Sequence, residues 1–181
     1  TIGIASKGLN LVVEQIVLAT PLQPGLLSTE TIGEQGVAMP LWEIIVAAIA
    51  LGRRFAYKNP IVNVELIERD KSALVLCNLP ALKRALAELI TNALSFSPDG
   101  RSISISQWKS QGMVWISVTD QGPGIAEDEL KRALENFQQI NRDHQEQQGL
   151  GLGLGLAHHL IEVHGGSLEL KSVHGKGTQA I

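Results

Sequence analysis

The chain has 181 residues, 44% of them hydrophobic and 18% charged, which fits one ordinary domain with a short appendage and excludes disordered, collagenous and low-complexity classes. Lysine and arginine total 15 against 18 acids, a net charge of −3, so nothing in the bulk charge favours a nucleic-acid backbone or an anionic membrane, and any phosphate site must be local. The single cysteine, Cys77, cannot close an internal disulfide, and a reducing, cytoplasmic setting is the natural expectation. No apolar stretch reaches the roughly 20 residues of a membrane span, and no secretory signal pattern opens the sequence.

In chain order, the apolar spacing from Lys7 to Thr20 predicts a helix stopped by Pro21. Pro21 to Pro40 is punctuated by proline and glycine and reads as a linker or long loop. A helix is expected from Leu41 through Tyr57, then short strands around Ile61 to Ile67 and Ala73 to Cys77. From Pro80 to Phe96, Leu82, Ala85, Leu86, Leu89, Ile90, Ala93 and Leu94 fall on one helical stripe, with proline in the first turn. Ser102 to Trp108 and Met113 to Asp120 read as a hairpin. A helix follows at Glu127 to Glu135, then a polar stretch, Gln138 to Gln148, expected to be a mobile lid. The Gly/Leu run from Gly149 leads into a helix reaching His164, and Ser167 to Val173 with Thr178 to Ile181 form a last hairpin. Mixed helices and hairpins give an α+β class: a two-layer α/β sandwich with a mixed, mostly antiparallel sheet backed by helices.

Three places in this frame suggest chemistry. Asp120 shares its strand face with Val114, Ile116 and Val118, so its carboxylate points at the core and needs donors; it either caps the next turn or serves a ligand. Gly122 and Gly124 let backbone approach a flat ligand without a Cβ in the way. Gly149, Gly151 and Gly153 leave amides uncovered at a helix N-terminus, a phosphate cradle; the competing reading is a small-residue packing face, and the helix penalty of glycine favours a loop. Glu88 and Asn92 are four apart at the border of the apolar stripe, where paired oxygens suit Mg²⁺ and where a plain solvated helix flank is the alternative. His158, His159 and His164 read as solvated histidines near a helix end, since adjacent side chains diverge.

In this order the motifs resemble the ATP-binding catalytic domain of sensor histidine kinases, in the superfamily shared with DNA gyrase and the heat-shock chaperones. The resemblance covers the chain from about Leu41 to the end. Glu88 to Phe96 is similar to the N-box, Asp120-Gln121-Gly122-Pro123-Gly124 to the first glycine box, Leu134 to Phe137 to an F-box, and Gly149 to Leu154 to the second glycine box. His164-Gly165-Gly166 and Gly175-Lys176-Gly177-Thr178 are similar to the family's tail.

The resemblance implies a Bergerat-type fold binding Mg·ATP. Asp120 would accept the adenine amino group, supported by Thr178 through water, with Gly122 and Gly124 bordering the base. Gly149, Gly151, Gly153 and Leu154 would line the phosphates, and Asn92 would hold Mg²⁺. Glu88 would act as a general base, toward water or toward the accepting histidine. Three positions depart from the pattern: Leu134 for the first F-box phenylalanine, Ser95 where a phosphate-contacting lysine is common, and Gln139 where arginine often lies. Lys83, Arg84 and Arg142 remain as candidate cations.

Residues 1–40 look like the end of a dimerisation hairpin with its linker, and 41–181 like the catalytic domain. No histidine precedes His144, so the phosphoacceptor histidine is expected outside this sequence. The implied partners are that hairpin, a response regulator and a second copy in a homodimer, with no nucleic acid. An ATPase switch and a nucleotide-binding module without kinase activity are the alternatives.

Overall fold

The computed structural model describes residues 28–56, 62–68, 72–130 and 151–181. Their elements are α1 (Thr29–Gln35), β1 (Val37–Pro40), α2 (Leu41–Phe55), β2 (Asn63–Glu68), β3 (Leu74–Cys77), α3 (Leu79–Phe96), β4 (Ser102–Ser110), β5 (Met113–Thr119), α4 (Gly151–Val163), β6 (Leu170–Val173) and β7 (Gly177–Ala180). The expected helix from Lys7 to Thr20, the F-box and the polar stretch Gln138 to Gln148 lie outside the described residues.

A five-stranded sheet runs in the order β2-β4-β5-β7-β6. β2 lies parallel to β4, while β4–β5, β5–β7 and β6–β7 are antiparallel, so the sheet is mixed and mostly antiparallel, as expected. In β4 the period of two sends Ile103, Ile105 and Gln107 inward and leaves the intervening serines on the other face. Ile103 and Ile105 join Val118 of β5, Ile44, Ile45 and Ala48 of α2, Leu86, Ile90 and Leu94 of α3, and Ala157 of α4 in one core.

α3 forms where its stripe predicts it. Asn78 Oδ1 caps it by accepting from the Ala81 amide at 3.1 Å, and Pro80 occupies the first turn. α2 packs close enough on α3 that a Cβ at Gly52 would stand 2.9 Å from Ile90 Cγ2. His164 is half-buried and not simply solvated. Its Nδ1–H donates to Leu160 O at 2.6 Å and its Nε2 accepts from the Asn78 amide at 3.2 Å, so it ties the end of α4 to the cap of α3.

The described part of the stretch expected as linker or loop, from Ser28 to Pro40, is structured. Ser28 caps α1, accepting from the Thr31 amide at 3.1 Å, and β1 pairs antiparallel with β3, Val37 opposite Cys77. The pairing is non-local: hydrogen bonds from β3 supply what the prolines and glycines of this stretch do not. Among the described residues no helix is long and apolar enough to cross a membrane.

Candidate functional site

Asp120 directly follows β5, on the helix-facing side of the sheet, and is 9% exposed. The ladder continues through it, its amide donating to Thr178 O at 2.9 Å. Its Oδ1 accepts two backbone amides, Gly122 at 2.8 Å and Thr178 at 3.1 Å. Among the described residues Oδ2 takes no protein donor. Burial pushes this carboxyl above its ordinary value, ahead of the opposing pull of the Gly122 and Thr178 amides.

The turn after Asp120 is wedged between two elements. A Cβ at Gly122 would stand 2.7 Å from Phe96 O at the end of α3, and one at Gly124, at φ +69°, would run into Val173 O of β6. Gly175 N–H also donates to Pro123 O at 2.6 Å. Glycine is therefore a steric requirement in the turn, and the backbone comes close to both neighbours.

Glu88 sits on α3, 9% exposed, so it is buried and not a solvated flank. One oxygen is ion-paired with Arg84 one turn earlier. The other faces Gly153 of α4, where any Cβ would collide with it. Arg84 is itself buried, its guanidinium 5.1 Å over the Phe55 ring. Burial raises the Glu88 carboxyl, and the Arg84 charge and hydrogen bond pull it back down. Asn92 lies one turn beyond Glu88, half-buried on the same side of α3.

The glycine run is not a loop where it is described. Gly151 and Gly153 belong to the first turn of α4, and the reason for accepting glycine in a helix is the Glu88 carboxylate lying against Gly153. The packing reading is thus met at Gly153 itself. Leu154 packs on the core, and Gly149 lies outside the described residues.

The structure so brings Asp120, Gly122, Gly124 and Thr178 into one cluster, and Glu88, Asn92 and Gly153 into another, joined where Gly122 meets the end of α3. Arg84 is committed to Glu88, and Arg142 is outside the described residues. Sequence reasoning missed Ser172. Its Oγ accepts from the Ile125 amide at 2.7 Å and lies 2.9 Å from Thr178 Oγ1. The signal available for it was the cross-strand register, Ser172 opposite Thr178.

A layered α+β domain with an inward carboxylate, a glycine turn and a glycine-opened helix is the architecture of one class of ATPase. Residues 77–181 match the family of histidine kinase-, DNA gyrase B-, and HSP90-like ATPases, and the chain belongs to that family. Over 98 residues it is 40% identical to the sensor-like histidine kinase SenX3 of Mycolicibacterium smegmatis, covering 54% of this chain and 26% of that one. It is 31% identical over 121 residues to the sensor histidine kinase WalK of Bacillus subtilis, covering 64% and 20%. The chain therefore spans about a quarter or less of the length of these curated relatives. Among solved structures, a mycobacterial sensor histidine kinase, MprB, superposes with a TM-score of 0.64 at 24% identity over 80% of this chain and 93% of that one. Full-length ShkA in complex with AMPPNP gives 0.64 at 22% identity, over 81% and 30%. These two likenesses establish the fold.

Proposed function

We propose that this chain is the ATP-binding catalytic domain of a two-component sensor histidine kinase, which holds Mg·ATP and donates the γ-phosphoryl to a histidine on a dimerisation hairpin outside this sequence. The observation that carries the reading is the buried Asp120, whose Oδ1 is held by two backbone amides while Oδ2 has no protein donor among the described residues. An acceptor fixed in this way suits the exocyclic amino group of adenine. Family membership supports it, and so does the AMPPNP held by the similar ShkA structure.

The remaining residues fit the rest of the nucleotide. Gly122 and Gly124 border the base, Thr178 supports it, and the first turn of α4, with Gly151, Gly153 and Leu154 preceded by Gly149, faces the phosphates with the positive end of its dipole. Asn92 offers an amide oxygen of the hard type Mg²⁺ prefers, on a site otherwise left to phosphate and water. Bound there, the ion would neutralise charge on the triphosphate. Glu88, whose carboxyl burial raises and the Arg84 charge pulls part of the way back, would be the group that accepts a proton from the incoming nucleophile. Residues 1–27 would carry the end of the hairpin and its linker, with a response regulator receiving the phosphoryl group, a second copy completing a homodimer, and the whole working on the cytoplasmic side. The pairing of β1 with β3 supports counting β1 with the catalytic unit, ahead of the boundary expected at residue 41.

Glu88 also favours a second reading, an ATPase switch in which that carboxylate activates water. Measuring phosphate release from ATP against phosphoryl transfer to an added hairpin domain separates the two. Transfer outpacing release supports the kinase; release alone refutes it.

A further inference from the structure

The β6–β7 hairpin holds a hydroxyl pair whose proton directions can be deduced. Ser172 Oγ has three partners: the Ile125 amide at 2.7 Å, Gly177 O at 3.1 Å and Thr178 Oγ1 at 2.9 Å. A serine hydroxyl owns one proton and two acceptor sites. The amide can only donate, and the carbonyl can only accept. All three contacts are hydrogen bonds in one arrangement alone: Ser172 gives its proton to Gly177 O, and Thr178 gives its own to Ser172. The Thr178 proton is thereby turned toward Ser172, and what Thr178 offers elsewhere is lone pairs.

Thr178 is also the residue whose amide holds Asp120, at 3.1 Å. Ser172, Thr178 and Asp120 lie on the helix-facing side of the sheet, beyond the core pair Leu170 and Ala180. Ionised Asp120 presents an acceptor as well. With the Ser172 proton spent on Gly177 O, Thr178 and Asp120 offer acceptors here, and among these three side chains no donor is left over.

We propose that Ser172 is a positioning residue for base selectivity: by fixing the Thr178 hydroxyl as an acceptor beside Asp120, it makes the pocket take a 6-aminopurine and reject a 6-oxopurine. This rests on the reading of Asp120 as the base-binding carboxylate. A 6-amino group brings donors to these acceptors. A 6-oxo group sets an acceptor against them, and such a mismatch discriminates more strongly than lost packing does.

The test is titration of the chain with non-hydrolysable ATP and GTP analogues in the wild type, Ser172→Ala and Ser172→Thr. In Ser172→Ala the Thr178 hydroxyl is free to turn and donate, and the preference for the ATP analogue falls about tenfold, the equivalent of one hydrogen bond. Ser172→Thr keeps the hydroxyl and the preference. If Ser172→Ala weakens both analogues equally, Ser172 is merely structural and the proposal is wrong. Should Ser172→Ala not fold, Thr178→Val reads the same acceptor: its ratio falls if Thr178 faces the base and stays put if the proposal is wrong. A wild type that binds neither analogue overturns the Asp120 reading itself, a result distinct from binding without selectivity.

Discussion

Replacing Asp120 by asparagine keeps a carbonyl oxygen where Oδ1 accepts the Gly122 and Thr178 amides at 2.8 and 3.1 Å, and puts an NH₂ group in place of Oδ2. The turn keeps both internal bonds, so the fold survives. The pocket loses a charged acceptor and gains a donor aimed at the amino group of the base. A hydrogen bond to a charged group contributes about 1.5–3 kcal/mol, so Asp120→Asn weakens an ATP analogue roughly 10- to 150-fold. Asp120→Ala is the contrasting variant: it orphans both amides at about 1–3 kcal/mol each, and its melting temperature drops by several degrees. Isothermal titration reads the affinity and thermal unfolding reads the fold. Unchanged affinity in Asp120→Asn refutes the base-binding role, and an Asp120→Asn that melts as low as Asp120→Ala refutes the division of labour between the two oxygens.

Three further outcomes follow from the same geometry. Arg84→Met leaves the Glu88 carboxylate buried without its counter-charge and costs about 3–5 kcal/mol; Arg84→Met/Glu88→Gln recovers most of that in urea unfolding, and additive losses contradict the pairing. Gly153→Ala, which inside a helix would ordinarily add about 1 kcal/mol of stability, instead destabilises and lowers turnover more than binding, because its Cβ takes the place of the Glu88 carboxylate. A rise in melting temperature contradicts that contact. Burial raises the Asp120 carboxyl, so the folded state binds its proton more tightly than the unfolded chain does. The contribution is fully present below the ordinary carboxylate range and is lost as pH rises through the raised value. Wild-type stability minus that of Asp120→Asn therefore falls with rising pH across that window, and a difference that grows with pH contradicts the assignment.

Much of this site was legible because local pattern and global packing agree in it. α3 announces itself through seven apolar positions on one stripe, and Asp120 through a strand face that can only be the inner one. Other features depend on partners distant in sequence. β1 lies in a stretch whose prolines and glycines argue against a strand, and it exists because β3 offers it a ladder. Glycine propensity argues for a loop at Gly151 and Gly153, whereas a carboxylate from α3 needs the space above a helical Gly153. The Arg84 and Glu88 spacing was visible, but without the burial that makes Arg84 a partner of Glu88 it reads as a free cation. Ser172 becomes meaningful only once the hairpin register sets it opposite Thr178.

The most direct measurement is an amide NMR titration of the chain with a non-hydrolysable ATP analogue and Mg²⁺. The account predicts saturable shifts at Gly122, Gly124 and Thr178 from the base and at Gly151 and Gly153 from the phosphates, with Asp120→Asn needing roughly 10- to 150-fold more analogue to reach them. Shifts confined to other residues, or none at millimolar analogue, contradict it.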